Sequence, residues 1–361
     1  MTNSGFLRTA ALLFLISAGC AAQAGDANAG RGHFDLARAD ITAFVEQLAG
    51  QGIARERTLA LLAAAEPQPK IIEAMGRPAE KTLQWWEYRA RFLRDERVAA
   101  GAALWSEHRE LLDAVALERQ VPPEYILAIL GVETLYGRQS GRYRVLDALA
   151  TLAFDYPPRA DFFRKELGEF IRLCDEDGID PLTALGSYAG AMGAAQFMPS
   201  SYRNFAVSAA GSGHRDLWNN WGDIFGSIAN YLHVHGWVMD GPVLSEVRAV
   251  GAALPPVPDK VALDTTVGAL ASAGVELEAA PPPQTPAVFV NATQADGSGW
   301  RVGYQNFYVI TRYNRSPLYA MAVHDLAEAI TARAFAEPAA APAPAPAPAP
   351  SPSPAPAATT P

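Results

Sequence analysis

The sequence predicts a mainly α-helical (α+β) chain carrying one small, partly β insert. Three observations carry that expectation. Apolar residues recur at helical spacing over 34–120. A segment that is apolar nearly all round follows Pro122-Pro123. Strand and turn signals gather in 241–303.

In chain order, the N-terminus comes first. Arg8 gives a positive start, Thr9 to Ala18 is a short apolar run, and small residues follow to Ala24. The run is too short to span a bilayer, so 1–24 is expected to be an export signal. Two processing readings stand. Ala22-Gln23-Ala24 fits cleavage after Ala24, which is preferred. Ser17-Ala18-Gly19-Cys20 resembles a lipobox with Ser17 where Leu is usual, and would leave a lipidated Cys20 tethered to a membrane. Either one places the protein in the periplasm. Cys174 is then the only free thiol, so no internal disulfide forms and the residue is read as a small hydrophobe late in a helix.

From Phe34 the pattern is helical. Ile41, Phe44, Val45 and Leu48 fall on one face, and a second long stretch runs from Leu83 to Leu117, giving an N-terminal helical domain over 34–120. Pro at the first turn opens a buried helix from Glu124 to about Leu135. A helix around Asp161–Cys174, a Gly/Ser-rich stretch 186–201 and a helix Ile224–His235 complete a block over 121–240. In 241–303, Ala287–Val290, the turn Asp296-Gly297-Ser298-Gly299 and Trp300–Val302 read as a hairpin. Helix returns over 304–335. Residues 338–361 are almost pure Ala and Pro, which favours an extended spacer or disordered arm.

The formal charge is −9, from 29 Lys and Arg against 38 Asp and Glu, and no basic run could track a phosphate backbone. Nucleic acid is excluded as a partner.

The chemistry centres on Glu133. Ile126, Ile129, Leu130 and Glu133 stand at i, i+3, i+4 and i+7, so this carboxylate shares a stripe with three large aliphatics. Desolvation there favours the neutral carboxyl, which is the form that protonates a glycosidic oxygen. The same pattern also fits a buried Glu paired with an Arg. The stretch Ser187–Ser201 combines small residues, which allow close backbone approach, with Ser187 and Gln196 as polar groups. It equally fits a close-packed helix pair with a loop. Aromatic rings can stack on sugar faces, but most rings are core.

The ordered motifs resemble the B family of lytic murein transglycosylases. They are Val-Pro-Pro-Glu at 121–124, Gly-Val-Glu-Thr at 131–134, Leu-Asp-Ala-Leu-Ala-Thr-Leu at 146–152, Ala-Gly-Ala-Met-Gly at 189–193, Gln-Phe-Met-Pro-Ser-Ser at 196–201, Ala-Asn-Tyr at 229–231, Ile-Thr-Arg-Tyr-Asn-Arg-Ser at 310–316 and Tyr-Ala-Met-Ala-Val at 319–323. Trp86–Phe92 fits the family's upstream aromatic stretch. The resemblance covers most of 80–335. It implies a lysozyme-like helical core over 121–240 and 304–335, interrupted by the insert at 241–303. It also implies that Glu133 is the acid/base and that Tyr88, Arg159, Ser187, Gln196, Tyr231, Tyr313 and Asn314 line a cleft for peptidoglycan glycan strands. Other cell-wall enzymes are further expected partners. Cleavage would fall between N-acetylmuramic acid and N-acetylglucosamine and leave 1,6-anhydromuramoyl ends.

Two departures stand out. Pro158 replaces the arginine that would neighbour Arg159. The calcium loop of the family reads Ser208-Ala209-Ala210-Gly211-Ser212-Gly213-His214-Arg215-Asp216, which has too few carboxylates for a hard cation, so no metal or other cofactor is expected. His233 and His235 lack a zinc motif and are expected on a helix surface. Two other readings remain open from the residues. In a hydrolytic muramidase, Asp147, Asp155 or Asp161 would be the second carboxylate. In a non-catalytic scaffold, the Ala/Pro arm would hold the partner.

Overall fold

The structure, a computed structural model, describes residues 32–76, 83–211, 213–258 and 260–336. The expected export signal with Cys20 and the Ala/Pro arm lie outside the described residues.

Three helices come first: α1 (Ala39–Ala49), α2 (Arg55–Ala64) and α3 (Pro69–Gly76). α1 buries Ile41, Phe44, Val45 and Leu48, the face set by their spacing. The stretch expected as one helical run from Leu83 to Leu117 is broken into α4 (Trp85–Phe92), α5 (Asp95–Glu107) and α6 (Arg109–Arg119). The breaks fall at Leu93 (φ −93, ψ 53) and His108 (φ −116, ψ 29). One straight helix presents one stripe, whereas these segments reach separate partners. α4 and α5 lie on the last helix, α14 (Pro317–Ala334), and α6 lies on α11 (Trp221–Val234).

The core is built around α7 (Pro123–Thr134), in which every residue from Tyr125 to Thr134 is buried. It packs on α5, α6, α11 and α14. Pro123 starts it where an amide hydrogen would have no helical partner. It stops abruptly as Leu135, Tyr136 and Gly137 turn left-handed, with φ of 51, 59 and 80. Such backbone is costly outside glycine and needs support. Tyr136 supplies it by donating its hydroxyl to Arg97 O at 2.9 Å. Thr134 Oγ1 accepts from Gly137 N and donates to Ala194 O, both at 2.9 Å.

Next come the short strand β1 (Tyr143–Arg144), α8 (Val145–Asp155), a 3-10 turn at Pro157–Arg159, α9 (Ala160–Asp177), strand β2 (Leu185–Gly186) and α10 (Pro199–Phe205). α8 and α9 pack as a pair, and β1 pairs with β2 antiparallel. The α2–α3 connection is stitched to α8. Glu66 N donates to Asp147 at 2.9 Å and Gln68 N to Thr151 Oγ1 at 3.0 Å.

Between α11 and α13 (Gln305–Tyr313) lie β3 (Leu244–Ala249), β4 (Thr265–Thr266), α12 (Val267–Ser272), β5 (Glu276–Leu277), β6 (Pro286–Asn291) and β7 (Trp300–Gly303). The strands form one five-stranded antiparallel sheet in the order β4-β6-β7-β3-β5. The β6–β7 hairpin runs from Val288 opposite Gly303 to Asn291 opposite Trp300. A separate small core, including Leu270, Phe289, Val302 and Tyr304, fills it. Arg301 fastens the sheet to the helices. It pairs with Glu246 and Asp325 and lies 5.0 Å over the Trp85 ring. Among the described residues no helix is long and apolar enough to cross a membrane.

Candidate active site

Glu133 is one residue from the end of α7 and 7% exposed. The three aliphatics on its stripe are fully buried. Tyr319, in the first turn of α14, donates its hydroxyl to Glu133 Oε1 at 2.7 Å. Burial pushes the Tyr319 phenol well above its ordinary value, and the negative Glu133 pushes it further. The same two causes, in the same order, act on Tyr313. Tyr88, buried on α4, stands close enough to Tyr319 to disfavour its ionisation. Two phenols, from α13 and α14, therefore stand about one carboxyl, and a third, from α4, stands beside Tyr319. Tyr319 was not among the residues expected in the site. Its signal was its place in Tyr-Ala-Met-Ala-Val, but an aromatic ring at helical spacing reads as core.

Tyr313 also belongs to a ring cluster, 4.8 Å from Tyr231 and 5.7 Å from Phe197. Its hydroxyl donates to Ala195 O at 2.5 Å, and that of Tyr231 donates to Arg312 O at 2.6 Å. Both hydroxyls thus hold backbone, and the Tyr231 ring supplies the wall. His235 is not on the helix surface as expected. It stacks on Tyr231 at 4.1 Å, and burial lowers its pKa.

Between β2 and α10, residues 187–198 form a loop held by its own hydrogen bonds. Ser187 Oγ accepts from Ala191 N at 3.0 Å. Gln196 sits at φ 51, in left-handed backbone that is strained for a non-glycine residue. Its Nε2 donates to Gly193 O at 2.9 Å and to Ser140 O at 3.1 Å, which fixes the amide and leaves Oε1 to offer. Gly141, at φ 104, is pressed against the Gly186 carbonyl and has no room for a Cβ. Asn314, 3% exposed, accepts from Ser316 N through Oδ1 at 3.1 Å, leaving its amide hydrogens available. Arg159 has Tyr156, Glu166 and Arg315 as its charged and polar neighbours. It lies 4.3 Å over Phe162, and burial lowers its pKa, with Tyr156 and Glu166 opposing and nearby Arg315 adding to the effect.

The other carboxylates weighed for a second catalytic role are engaged elsewhere. Asp147 takes two hydrogen bonds from Arg144 and one from Glu66 N. Asp155 pairs with Arg38. Asp161 has a side chain 98% exposed and pairs with Arg164. Cys174 is buried, and burial pushes its thiol up to about 12, which makes it inert.

The transglycosylase SLT domain family matches residues 37–328. The membrane-bound lytic murein transglycosylase B of Escherichia coli is 38% identical over 305 residues, covering 80% of this chain and 81% of that protein. The chain belongs to the lytic murein transglycosylase B family. The soluble lytic transglycosylase SltB1 of Pseudomonas aeruginosa is 44% identical, with a TM-score of 0.75 over 81% of this chain and 98% of its own. The Escherichia coli lytic transglycosylase Slt35 in complex with calcium is 35% identical, with a TM-score of 0.74 over 85% of this chain and 98% of its own. The fold of this lytic transglycosylase is the lysozyme-like one.

Among the described residues around 208–216, the side-chain oxygens are engaged within the chain. Both oxygens of Asp223 are taken by backbone amides, Ala209 N at 2.7 Å and Asp216 N at 2.8 Å. Asp216 accepts from Trp218 N and Asn219 N. Arg215 brings its own positive charge, binding the side chain of Asp177 and the carbonyls of Tyr202 and Arg203. Calcium needs several free, mostly anionic oxygens, so the residues present do not fit it.

Proposed function

We propose that this chain is a lytic transglycosylase that cuts the β-1,4 bond between N-acetylmuramic acid and N-acetylglucosamine in peptidoglycan, with Glu133 as its single acid and base. One observation carries the reading: a nearly buried carboxyl that accepts a tyrosine hydroxyl at 2.7 Å, within a wall of aromatic rings and polar side chains. The activity in the names of its relatives supports the substrate class.

Glu133, protonated, gives its proton to the bridging oxygen as the bond to the muramoyl C1 breaks. The 2-acetamido group of the substrate supports the developing cation. Glu133, now a carboxylate, takes the proton of the muramoyl C6 hydroxyl, whose oxygen closes on C1. Glu133 is thereby restored and no water is consumed. Ser187, Gln196 and Asn314 orient the sugar, the first by its hydroxyl proton, the second by Oε1 and the third by its amide. Tyr231 and Tyr313 supply the aromatic wall, and Tyr88, buried behind Tyr319, backs it. Arg159 lies at the margin beside Arg315. A water-using mechanism needs a second carboxylate, and the ion pairs of Asp147, Asp155 and Asp161 argue against it.

The test is Glu133→Gln with product analysis. Acid–base catalysis contributes about 10²–10⁴-fold. Turnover of sacculi by the variant should fall at least about a hundredfold, and wild-type digests should carry anhydromuramoyl ends by mass spectrometry. Reducing muramic ends would move the reading to a muramidase, and undiminished turnover by the variant would end the role of Glu133. Export to the periplasm is part of the same proposal, and palmitate labelling of wild type against Cys20→Ala decides the lipid anchor.

A further inference from the structure

Glu166 is a buried carboxyl that the proposed mechanism does not use. It lies on α9 and is 2% exposed. Both of its oxygens face one residue across the contact of α9 with α10. Ser200 Oγ donates to Oε1 at 2.7 Å, and Ser200 N donates to Oε2 at 2.9 Å. Burial pushes the Glu166 carboxyl up, and the two bonds from Ser200 pull it back. Arg203, on the same helix as Ser200, pairs instead with Glu169 and Glu176. Hiding a carboxyl from water is costly, so its value lies in what it holds. Ser200 stands in the first turn of α10, where its amide has no helical partner.

The held segment is one end of the cleft loop. Gln196 sits four residues before Ser200, in left-handed backbone at φ 51. Such a conformation lasts only where the surroundings fix the chain on both sides. Upstream, Ala194 O accepts from Thr134 Oγ1 at 2.9 Å, and Ala195 O accepts from the Tyr313 hydroxyl at 2.5 Å. Downstream, Phe197 bonds back to Met192 within the loop, and Pro199 has no N–H to give. The next hydrogen bonds to another helix, among the described residues, are those from Ser200 to Glu166. Releasing Ser200 frees the downstream side, so the strain at Gln196 relaxes and its Oε1 loses its aim.

We propose that Glu166 is a positioning residue of the cleft, which through Ser200 fixes the downstream side of the loop 187–198 and so aims Gln196 at the sugar. The assignment rests on the glycan-cutting reading above. Glu133 is held separately, by Tyr319 on α14, so loss of the clamp is read in substrate binding and not in proton transfer. Glu166→Met keeps the length of the side chain without an acceptor. Glu166→Gln keeps a carbonyl oxygen for Ser200 N and an amide for Ser200 Oγ. Ser200→Ala deletes the hydroxyl bond and leaves the amide. On soluble glycan strands, Glu166→Met should raise KM about tenfold, with kcat within about threefold of wild type. Glu166→Gln should stay within about threefold of wild type in both. Ser200→Ala should raise KM about threefold or more, and should add less than about twofold to Glu166→Met, because both cut one link. A purely structural role would remove folded enzyme, which lowers apparent kcat at unchanged KM. That pattern in Glu166→Met, equal loss in Glu166→Gln, or an additive double variant would overturn the clamp while leaving the enzyme reading intact. If Glu166→Met does not fold, Ser200→Ala decides, and an unchanged KM there overturns the clamp. A wild type that cuts no glycan strand would overturn both readings.

Discussion

A carboxyl that gives a proton and later takes one back needs its two states close in energy near working pH. At Glu133 two influences oppose. Burial among aliphatics favours the neutral form, and the hydrogen bond from Tyr319 favours the charged one. Tyr319 is thus a positioning residue that also sets the balance. Deleting its hydroxyl removes a hydrogen bond to a charged group, worth about 1.5–3 kcal/mol. Tyr319→Phe should lower kcat by about tenfold or more. It should also move the alkaline limb of the pH–rate profile upward, because the carboxylate loses a hydrogen bond that supports its charge. A slower enzyme with an unmoved limb would make Tyr319 merely structural. Gln196 is the other residue whose geometry suggests function, since its left-handed backbone is supported by the bonds that also aim its amide and by its own N–H to Gly193 O.

At the scale of elements, the contact of α7 with α14 matters most, because it brings Glu133 to Tyr319. The same contact contains Tyr125 and His324, 2.8 Å apart. Burial pushes the His324 pKa down to about 4, against the pull of Asp325 and with help from Arg301. Its folded value therefore lies below its ordinary 6.5. Between those two values the unfolded chain binds the proton and the folded chain does not. Stability accordingly rises with pH across that window and is lost as pH falls from 6.5 toward 4. Allowing for partial solvent access, the contribution is on the order of 2 kcal/mol. Urea unfolding at pH 7 and pH 4.5 should show it, and His324→Gln, which keeps a partner for Tyr125 without titrating, should flatten the difference. An unchanged pH slope in that variant would assign the loss to other groups.

For the whole molecule, the question is what holds the segment around Arg215 against α9 and α10. Here Arg215 does so, with its side chain 14% exposed over an Asp177 carboxylate that is fully buried. Breaking a buried pair by removing one partner costs about 3–5 kcal/mol, since the remaining charge is stranded. Arg215→Met should lower Tm by about ten degrees. Calcium should not restore it, and chelator should leave the wild-type Tm where it was. Calorimetric calcium binding by wild type, or a Tm that falls with chelator, would refute this. The sheet is fastened by similar means, through Arg301 to Asp325 and Glu246. Charged side chains thus join parts that are far apart in the chain.

By itself the sequence determined the helical character, the apolar stripe beneath Glu133, the hairpin Val288–Gly303 and the family. Each of these is written locally, in period, turn residues or ordered motifs. It also carried the weakness of the cation loop, because ligand chemistry is a matter of residue type. Only the tertiary structure decided which groups meet. The breaks at Leu93 and His108 let α4 and α5 lie on α14 while α6 turns to α11, and no helix-breaking residue nearby sets them. His235 turned inward because the Tyr231 ring offered it a stacking face. Asp147 became a bracket for the α2–α3 connection because Arg144 and Glu66 converge on it. Tyr319 reached Glu133 across 186 positions of sequence, and a contact of that span leaves no local trace. The stripe could say that Glu133 is buried, but what it touches there depends on packing between helices far apart in the chain.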